Sequence, residues 1–160
     1  MIRAAVLNAL SSTDALHALT ECCGARAWVA AMEKCRPFRD EAHVLAAAAA
    51  CFAGLTDADW LEAFRHHPKI GDMASLRLKF AGEEQGAVAG ASDATLAALA
   101  AQNAAYERRH GFIFIVCATG KSAGEMLALL TARLPNDKAT ELANAAAEQR
   151  KITAIRLEKL

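Results

Sequence analysis

Residues 112–117, with the sequence FIFIVC, decide the fold class, because they are the one stretch whose composition favours a β-strand. Their number and their β-branched and aromatic side chains are typical of a buried strand. No other stretch has the pattern of a partner strand, and a lone strand would leave its backbone donors and acceptors unpaired. We therefore predict an extended or irregular buried segment near 112–117 in a helical protein, with its backbone polar groups bound by side chains or by a ligand.

The rest of the chain has the patterns of helices. Of its 160 residues, 54% are hydrophobic but only 6% are aromatic, and much of the apolar content is alanine, which favours helix. Helices are predicted at 15–22, 25–34, 41–52, 57–65, 94–109, 122–134 and 137–159, with short helical segments at 2–10 and 76–80. We predict an all-α fold of about seven or eight helices in one compact domain, residues 1–160.

Charge and cysteine content exclude several classes of protein. Eighteen basic residues balance eighteen acidic ones, so no basic face for nucleic acid is expected. The chain has no apolar run of membrane-spanning length, and its first residues lack the shape of a signal peptide. The five cysteines are odd in number and form no C-x-x-C pair, which predicts free thiols in the cytoplasm and no metal site.

Residues 64–72, with the sequence FRHHPKIGD, mark the place where a helical pattern stops and several reactive side chains follow. Pro68 removes a backbone donor and pushes His67 out of the helical region, so His67 is predicted to lie on a rigid turn. Gly71 permits a second turn, and Asp72 can cap the helix that follows. A histidine fixed in this way can do acid–base chemistry near neutral pH, but an ordinary solvated histidine could have the same local sequence.

Three further features have both a chemical and an ordinary structural interpretation. Glu84-Gln85 lies between two glycines, but acids also favour the start of a helix. Arg156 lies beside the apolar stripe of the last predicted helix, where a long side chain can bind an anion or reach solvent. The backbone of residues 112–117 can bind a ligand or simply line the core. Spacing alone does not connect these features.

Several short motifs, taken in order along the chain, resemble the 2-oxo-4-hydroxy-4-carboxy-5-ureidoimidazoline (OHCU) decarboxylase family. The resemblance runs from near Asn8 to Leu160. Each motif is weak alone, but their order and spacing are specific. The motifs are RPF at 36–38, HPKIGD at 67–72, EQ at 84–85, NxxY at 103–106, HGFIF at 110–114, RLxN at 133–136 with Glu141, and ExxKIxxIRL at 148–157.

The resemblance implies an all-helical enzyme of urate degradation that converts OHCU to (S)-allantoin and CO2. It implies that no cofactor and no metal are needed, that the partner is a small-molecule substrate, and that the chain forms a homodimer. It does not imply binding to nucleic acid or to a membrane.

The resemblance also assigns roles to residues of this chain. His67 matches the family's catalytic histidine and is expected to do acid–base work at the substrate hydroxyl or at the protonated carbon. Glu84 matches the acid of the Glu-Gln pair and is expected to orient the hydroxyl and the ring. The residues implied to bind substrate are Pro68, which stiffens the histidine turn, Gln85, Arg156, and the backbone of Phe112, Ile113, Phe114 and Ile115.

The loop before Glu84 departs from the family pattern, because fewer residues separate Phe80 from the Glu-Gln pair than in bacterial relatives. This loop would border the substrate, and its shortening makes Glu83 an alternative to Glu84. Two other functions stay open on the sequence alone. They are a non-catalytic helical interaction module that has kept the decarboxylase fold, and a metal-dependent hydrolase that uses His66, His67 and Asp72.

Overall fold

The computed structural model describes residues 4–69, 73–80 and 92–160, and these residues form nine α-helices and no β-strand. The all-α prediction is confirmed. The count exceeds the predicted seven or eight because the short segments α1 and α6 are complete helices. The helices are α1 (Ala4–Ala9), α2 (Ser12–Cys22), α3 (Arg26–Lys34), α4 (Glu41–Ala53), α5 (Asp57–Arg65), α6 (Met73–Phe80), α7 (Asp93–His110), α8 (Ala123–Arg133) and α9 (Lys138–Glu158).

Side-chain caps explain where most of these helices begin. A hydroxyl or carboxylate accepts a hydrogen bond from a backbone N–H three residues later, which satisfies a donor that the helix itself leaves free. At Thr56 the cap is reciprocal, because the Asp59 carboxylate also accepts from the Thr56 N–H at 2.9 Å. The capping residues are Ser11, Asp40, Thr56, Ser92, Ser122 and Asp137.

The chain divides into two compact units, residues 1–67 with 146–160 and residues 68–145. The core of the first unit contains a stack of aromatic rings. The ring centroids of Trp28 and Phe52 are 5.3 Å apart, and those of Phe52 and Trp60 are also 5.3 Å apart. Trp28 is fully buried and donates its indole N–H to the Ala48 carbonyl at 3.2 Å. Trp28 is therefore a core residue of this unit.

The Arg36-Pro37-Phe38 motif connects to the end of α1 within this first unit. The side-chain amide of Asn8 donates to the Phe38 carbonyl and accepts from the Phe38 N–H, both at 2.8 Å. The Arg36 guanidinium donates to the backbone carbonyls of Asn8 and Leu10. The motif therefore has a structural role in this chain.

The second unit contains the segment that decided the fold class. Residues 113–118 have no regular secondary structure, and Phe112, Ile115 and Cys117 are buried. The Ile115 carbonyl accepts from Arg133 Nη1, and the Cys117 carbonyl accepts from Lys121 Nζ, both at 2.8 Å. Side chains thus bind two of its backbone oxygens, as predicted.

Within the described residues, no single helix combines the length and apolarity of a membrane span. The pair α4 and α5, which is bent by 119°, meets that description by length and composition only.

Candidate active site

His67 lies on a tight turn at the end of α5. The helix ends at Arg65, and the N–H groups of His66 and His67 bond to the carbonyls of Ala63 and Phe64, both at 3.2 Å. Phe64 is fully buried, so it fixes the position at which the turn leaves the helix. His67 is half-buried, and Pro68 follows it directly. The predicted helix end and turn are confirmed.

Gly24 supports this turn from the connection between α2 and α3. A Cβ atom on Gly24 would lie 2.3 Å from the Cβ and 2.4 Å from the Cγ of His66. These atoms belong to the base of the histidine side chain, so rotation about χ1 cannot relieve both contacts. Only glycine allows the two backbones to approach this closely.

Gly24→Ala is therefore expected to lower the free energy of unfolding by about 1–3 kcal/mol, because the added methyl group must displace the His66-His67 turn. Urea denaturation followed by circular dichroism measures this loss. Gly54→Ala is the matched control, since the nearest atom to a Cβ there is the Cys51 carbonyl oxygen at 4.0 Å. Equal effects at the two glycines would show that the close approach to His66 is not the cause.

A series of hydrogen bonds connects the His67 ring to α9 and to the end of α2. His67 Nε2 and Gln149 Oε1 are 2.5 Å apart. Gln149 Nε2 donates to Thr153 Oγ1 at 3.1 Å, and Thr153 Oγ1 donates to the Cys22 carbonyl at 3.3 Å. Gln149 and Thr153 are fully buried and lie one turn apart on α9. The imidazole is therefore attached to the core as well as to its own turn.

Arg156 also lies on α9, and it belongs to the same unit as His67. Its guanidinium donates to the Glu21 carbonyl at 3.3 Å. Burial lowers the pKa of His67 below its ordinary value of 6.5, the bond to Gln149 opposes this, and the positive charges of Arg156 and His66 lower it further. His67 is consequently neutral at neutral pH, which suits a group that first accepts a proton.

Phe112 to Ile115 belong to the second unit, where Arg133 holds them. The Arg133 guanidinium lies 4.6 Å from the centre of the Phe114 ring, in addition to its bond with Ile115. Glu141 accepts from Arg133 Nε at 2.8 Å and from the Tyr106 hydroxyl at 2.7 Å. Arg133 thus connects a buried carboxylate to the irregular segment.

Glu141 is fully buried and ionised. Burial alone would raise its pKa, but hydrogen bonds from Asn136, Tyr106, Asn144 and Arg133 together bring the pKa below its ordinary value. The two amide donors lie at 3.0 Å and 2.7 Å from its second oxygen. With both oxygens occupied, Glu141 organises structure and is not a free acid or base.

Three of the five cysteines are held in the thiol form, and the described residues form no cluster that could bind a metal. Burial raises the pKa of Cys22 to about 12 and that of Cys51 to about 11, and it also raises that of Cys23, so these side chains remain thiols at neutral pH. Among the residues that the structure describes, no three His, Cys, Asp or Glu side chains are grouped to bind a metal.

The structure accordingly brings together part of the predicted site. His67 and Arg156 share the first unit, whereas Pro68 and Phe112 to Ile115 belong to the second. Glu84 and Gln85, like Glu83 and Asp72, lie outside the described residues.

Sequence reasoning missed Gln149 and Thr153. A signal was present, because Gln149 falls on the apolar stripe of the last helix together with Leu142, Ala145 and Ile152. A polar residue on such a stripe must be buried with a hydrogen-bond partner, but the pattern does not identify that partner.

Known proteins are similar to this chain over most of its length. The sequence model of the family described as OHCU decarboxylase matches residues 8–158. The chain is 38% identical over 145 residues to the uric acid degradation bifunctional protein TTL of Arabidopsis thaliana, covering 87% of this chain and 45% of that protein. It is 27% identical over 164 residues to the uric acid degradation bifunctional protein of Bacillus sp. (strain TB-90), covering 100% of this chain and 32% of that protein. The chain therefore spans less than half the length of these two curated relatives.

Two solved structures share the fold. A crystal structure of OHCU decarboxylase in the presence of (S)-allantoin matches with a TM-score of 0.74 and 34% identity, covering 88% of this chain and 94% of that one. A crystal structure of (S)-allantoin synthase also matches with a TM-score of 0.74, at 20% identity, covering 98% of this chain and 53% of that one, and it supports the fold alone. Because the family match extends over residues 8–158, the chain belongs to the OHCU decarboxylase family.

Proposed function

We propose that this chain catalyses the decarboxylation of OHCU to (S)-allantoin and CO2 in urate degradation, without a cofactor. The observation that carries the proposal is the position of His67, which is held by Gln149, kept neutral by burial and close to the charge of Arg156. Family membership identifies the substrate class for which such a histidine would serve.

The substrate accounts for the absence of a cofactor from the proposed reaction. OHCU carries a carboxylate on a ring carbon next to a C=N bond. When CO2 leaves, the bonding electron pair moves toward the nitrogen of that C=N bond, so the substrate contains its own electron sink. The protein must hold the carboxylate out of the ring plane, stabilise the developing charge and direct a proton to one face.

Each proposed site residue meets one of these requirements. His67 exchanges the proton at the hydroxyl or at the protonated carbon, and Pro68 keeps its turn rigid. The planar guanidinium of Arg156 suits the carboxylate or a ureido oxygen. Glu84 would orient the hydroxyl and the ring, and Gln85 would bind the ureido group or ring amide. The backbone of Phe112, Ile113, Phe114 and Ile115 would bind the planar polar substrate.

The test uses OHCU freshly generated from urate by the two preceding enzymatic activities. The decay of OHCU is followed with and without this chain, and the optical activity of the allantoin is measured. We expect faster decay and an excess of (S)-allantoin. No acceleration and racemic product would reject the proposal. If (S)-allantoin also failed to raise the melting temperature, a non-catalytic module would be the better account.

The pH dependence of the reaction follows from the lowered pKa of His67. If neutral His67 accepts a proton, kcat/KM falls as the pH decreases through the His67 pKa, which lies below 6.5. Because the unfolded chain takes up this proton at a higher pH than the folded chain, the stability contribution of neutral His67 also decreases below about pH 6.5. Measurements of kcat/KM against pH check the first statement. A kcat/KM that decreases as the pH rises through the His67 pKa would instead identify the protonated form as active.

We also propose that the chain acts in the cytoplasm as a homodimer. Five free cysteines, three of them buried, support a reducing compartment. Light scattering after size-exclusion chromatography tests the dimer, and a mass of 16.9 kDa at micromolar concentration would reject it.

A further inference from the structure

We infer that Gln149 and Thr153 are positioning residues that hold neutral His67 with its proton on Nε2, so that Nδ1 is the atom that exchanges a proton with the substrate. The inference rests on the proposed function, because only a substrate gives the free nitrogen a catalytic role. All three side chains and Cys22 belong to the first unit.

The last acceptor in this series of hydrogen bonds, the Cys22 carbonyl, determines the direction of each bond. The Cys22 carbonyl can only accept, and it is one of the last four carbonyls of α2, which have no partner within the helix. The Thr153 hydroxyl has a single proton, which it donates to this carbonyl at 3.3 Å, and the neighbouring Cys23 sulfur is a second acceptor on the same side. Thr153 Oγ1 must therefore act as an acceptor toward Gln149, whose Nε2 lies 3.1 Å away.

This arrangement determines which end of the Gln149 amide faces the histidine. With the NH2 group directed at Thr153, Oε1 faces His67 at 2.5 Å, and an oxygen can only accept. The proton between them therefore belongs to His67 Nε2. Flipping the amide would turn the Thr153 proton toward Gln149 and remove the bond to the Cys22 carbonyl. A buried carbonyl that is left without a hydrogen-bond partner destabilises the fold, which opposes the flip.

The other ring nitrogen is left for the substrate. No residue in the described part of the chain, 4–69, 73–80 and 92–160, bonds to Nδ1 of His67. The charged groups that act on the ring are Arg156, on α9 with the two positioning residues, and His66, next to it on the turn. Gln149 and Thr153 themselves carry no charge, so they orient the ring and do not hold it protonated.

The direct experiment is long-range ¹H–¹⁵N NMR of the histidine side chains in the ¹⁵N-labelled protein, at a pH where His67 is neutral. His67→Gln identifies the His67 signals among the five histidines. We expect a protonated Nε2 and an unprotonated Nδ1, with Gln149→Leu shifting the ring toward a mixture of tautomers. A proton on Nδ1 of the wild-type ring, or the same tautomer ratio in Gln149→Leu, would overturn the inference.

Kinetics supply the second readout. Gln149→Leu is expected to lower kcat by about 10- to 100-fold with little change in KM, because the base is misplaced while substrate binding remains. Gln149→Glu places a carboxylate against Nε2, so the pH below which kcat falls should move up by about 1 unit or more. A pH profile unchanged in Gln149→Glu would contradict the proposed contact, and a purely structural role would not move it.

The chain offers a matched control in the second unit. Gln102 Oε1 accepts from the Thr131 hydroxyl at 2.9 Å, so this is also a glutamine–threonine pair, with the opposite hydrogen-bond direction and at the surface. Gln102→Leu and Gln102→Glu should change neither the His67 tautomer nor the pH profile.

If Gln149→Leu does not fold, the Thr153→Val and Thr153→Ser variants are used in its place. Loss of the pure tautomer in Thr153→Val with retention in Thr153→Ser supports the inference, and identical behaviour of the two overturns it.

Failure of the inference and failure of the proposed function are distinguishable. The tautomer is measured without substrate, whereas OHCU decay is measured without reference to the tautomer. An active chain with a proton on Nδ1 would reject the role of Gln149 alone. An inactive chain with the expected tautomer would reject the proposed function alone.

Discussion

Replacing His67 by alanine is expected to lower kcat for OHCU decarboxylation by about 10²- to 10⁴-fold, the usual loss when a general acid–base group is removed. The fold should persist, because His67 is half-buried and the buried Phe64 anchors the end of α5 independently. Gln149 loses one partner, which costs about 1–3 kcal/mol of stability. Steady-state kinetics and far-ultraviolet circular dichroism measure the two effects separately.

His66→Ala is the control for this experiment. His66 is the neighbouring residue and is exposed, and alanine keeps the Cβ atom that faces Gly24. Its kcat at neutral pH should stay within a few-fold of the unaltered chain. Full activity of His67→Ala, or an equal loss in both variants, would remove His67 from the role of the base.

The local features of this fold could be predicted from sequence because their causes are local. Thr56 and Asp59 lie three residues apart and cap α5 together. Pro68 follows the turn that ends the same helix. The irregular structure of residues 112–117 could be predicted because no other part of the sequence has the pattern of a partner strand. The described residues contain no β-strand, in agreement with this prediction.

The support of the site could not be predicted, because its partners are far apart along the chain. Gln149 bonds to His67 across 82 positions, and Thr153 bonds to Cys22 across 131. Helical periodicity indicates that Gln149 is buried, but only the packing of α9 in its unit decides which group it meets. The same holds for Gly24, since nothing in its local sequence indicates the contact with His66.

Loss of the Glu141 charge is expected to have the largest effect on stability. Glu141→Gln keeps the shape of the side chain but replaces an oxygen that accepts hydrogen bonds by a donor. One NH2 group must then face another donor, and the buried Arg133 guanidinium loses its counter-charge. Breaking a buried ion pair by removing one partner costs about 3–5 kcal/mol, which urea denaturation measures as a lower free energy of unfolding.

The matched control is Glu62→Gln, because Glu62 also pairs with an arginine but at the surface. The Arg26 and Glu62 side chains are 90% and 26% exposed, whereas the Arg133 and Glu141 side chains are 12% and 0% exposed. Removing the surface charge should cost no more than about 1 kcal/mol. Equal losses of unfolding free energy in the two variants would mean that burial does not increase the contribution of the Glu141–Arg133 ion pair to stability.

The Glu141 variant also tests the link to the irregular segment. Arg133 reaches the Ile115 carbonyl with Nη1 while Nε is held by Glu141, so a released guanidinium no longer fixes residues 112–115. If the backbone of these residues binds substrate, Glu141→Gln should raise KM for OHCU at temperatures where the variant is still folded. An unchanged KM with the expected loss of stability would confine Arg133 and Glu141 to folding. An extended segment without a partner strand needs side chains to bind its backbone polar groups. For residues 112–115, Arg133 binds the Ile115 carbonyl and connects it to the buried carboxylate of Glu141.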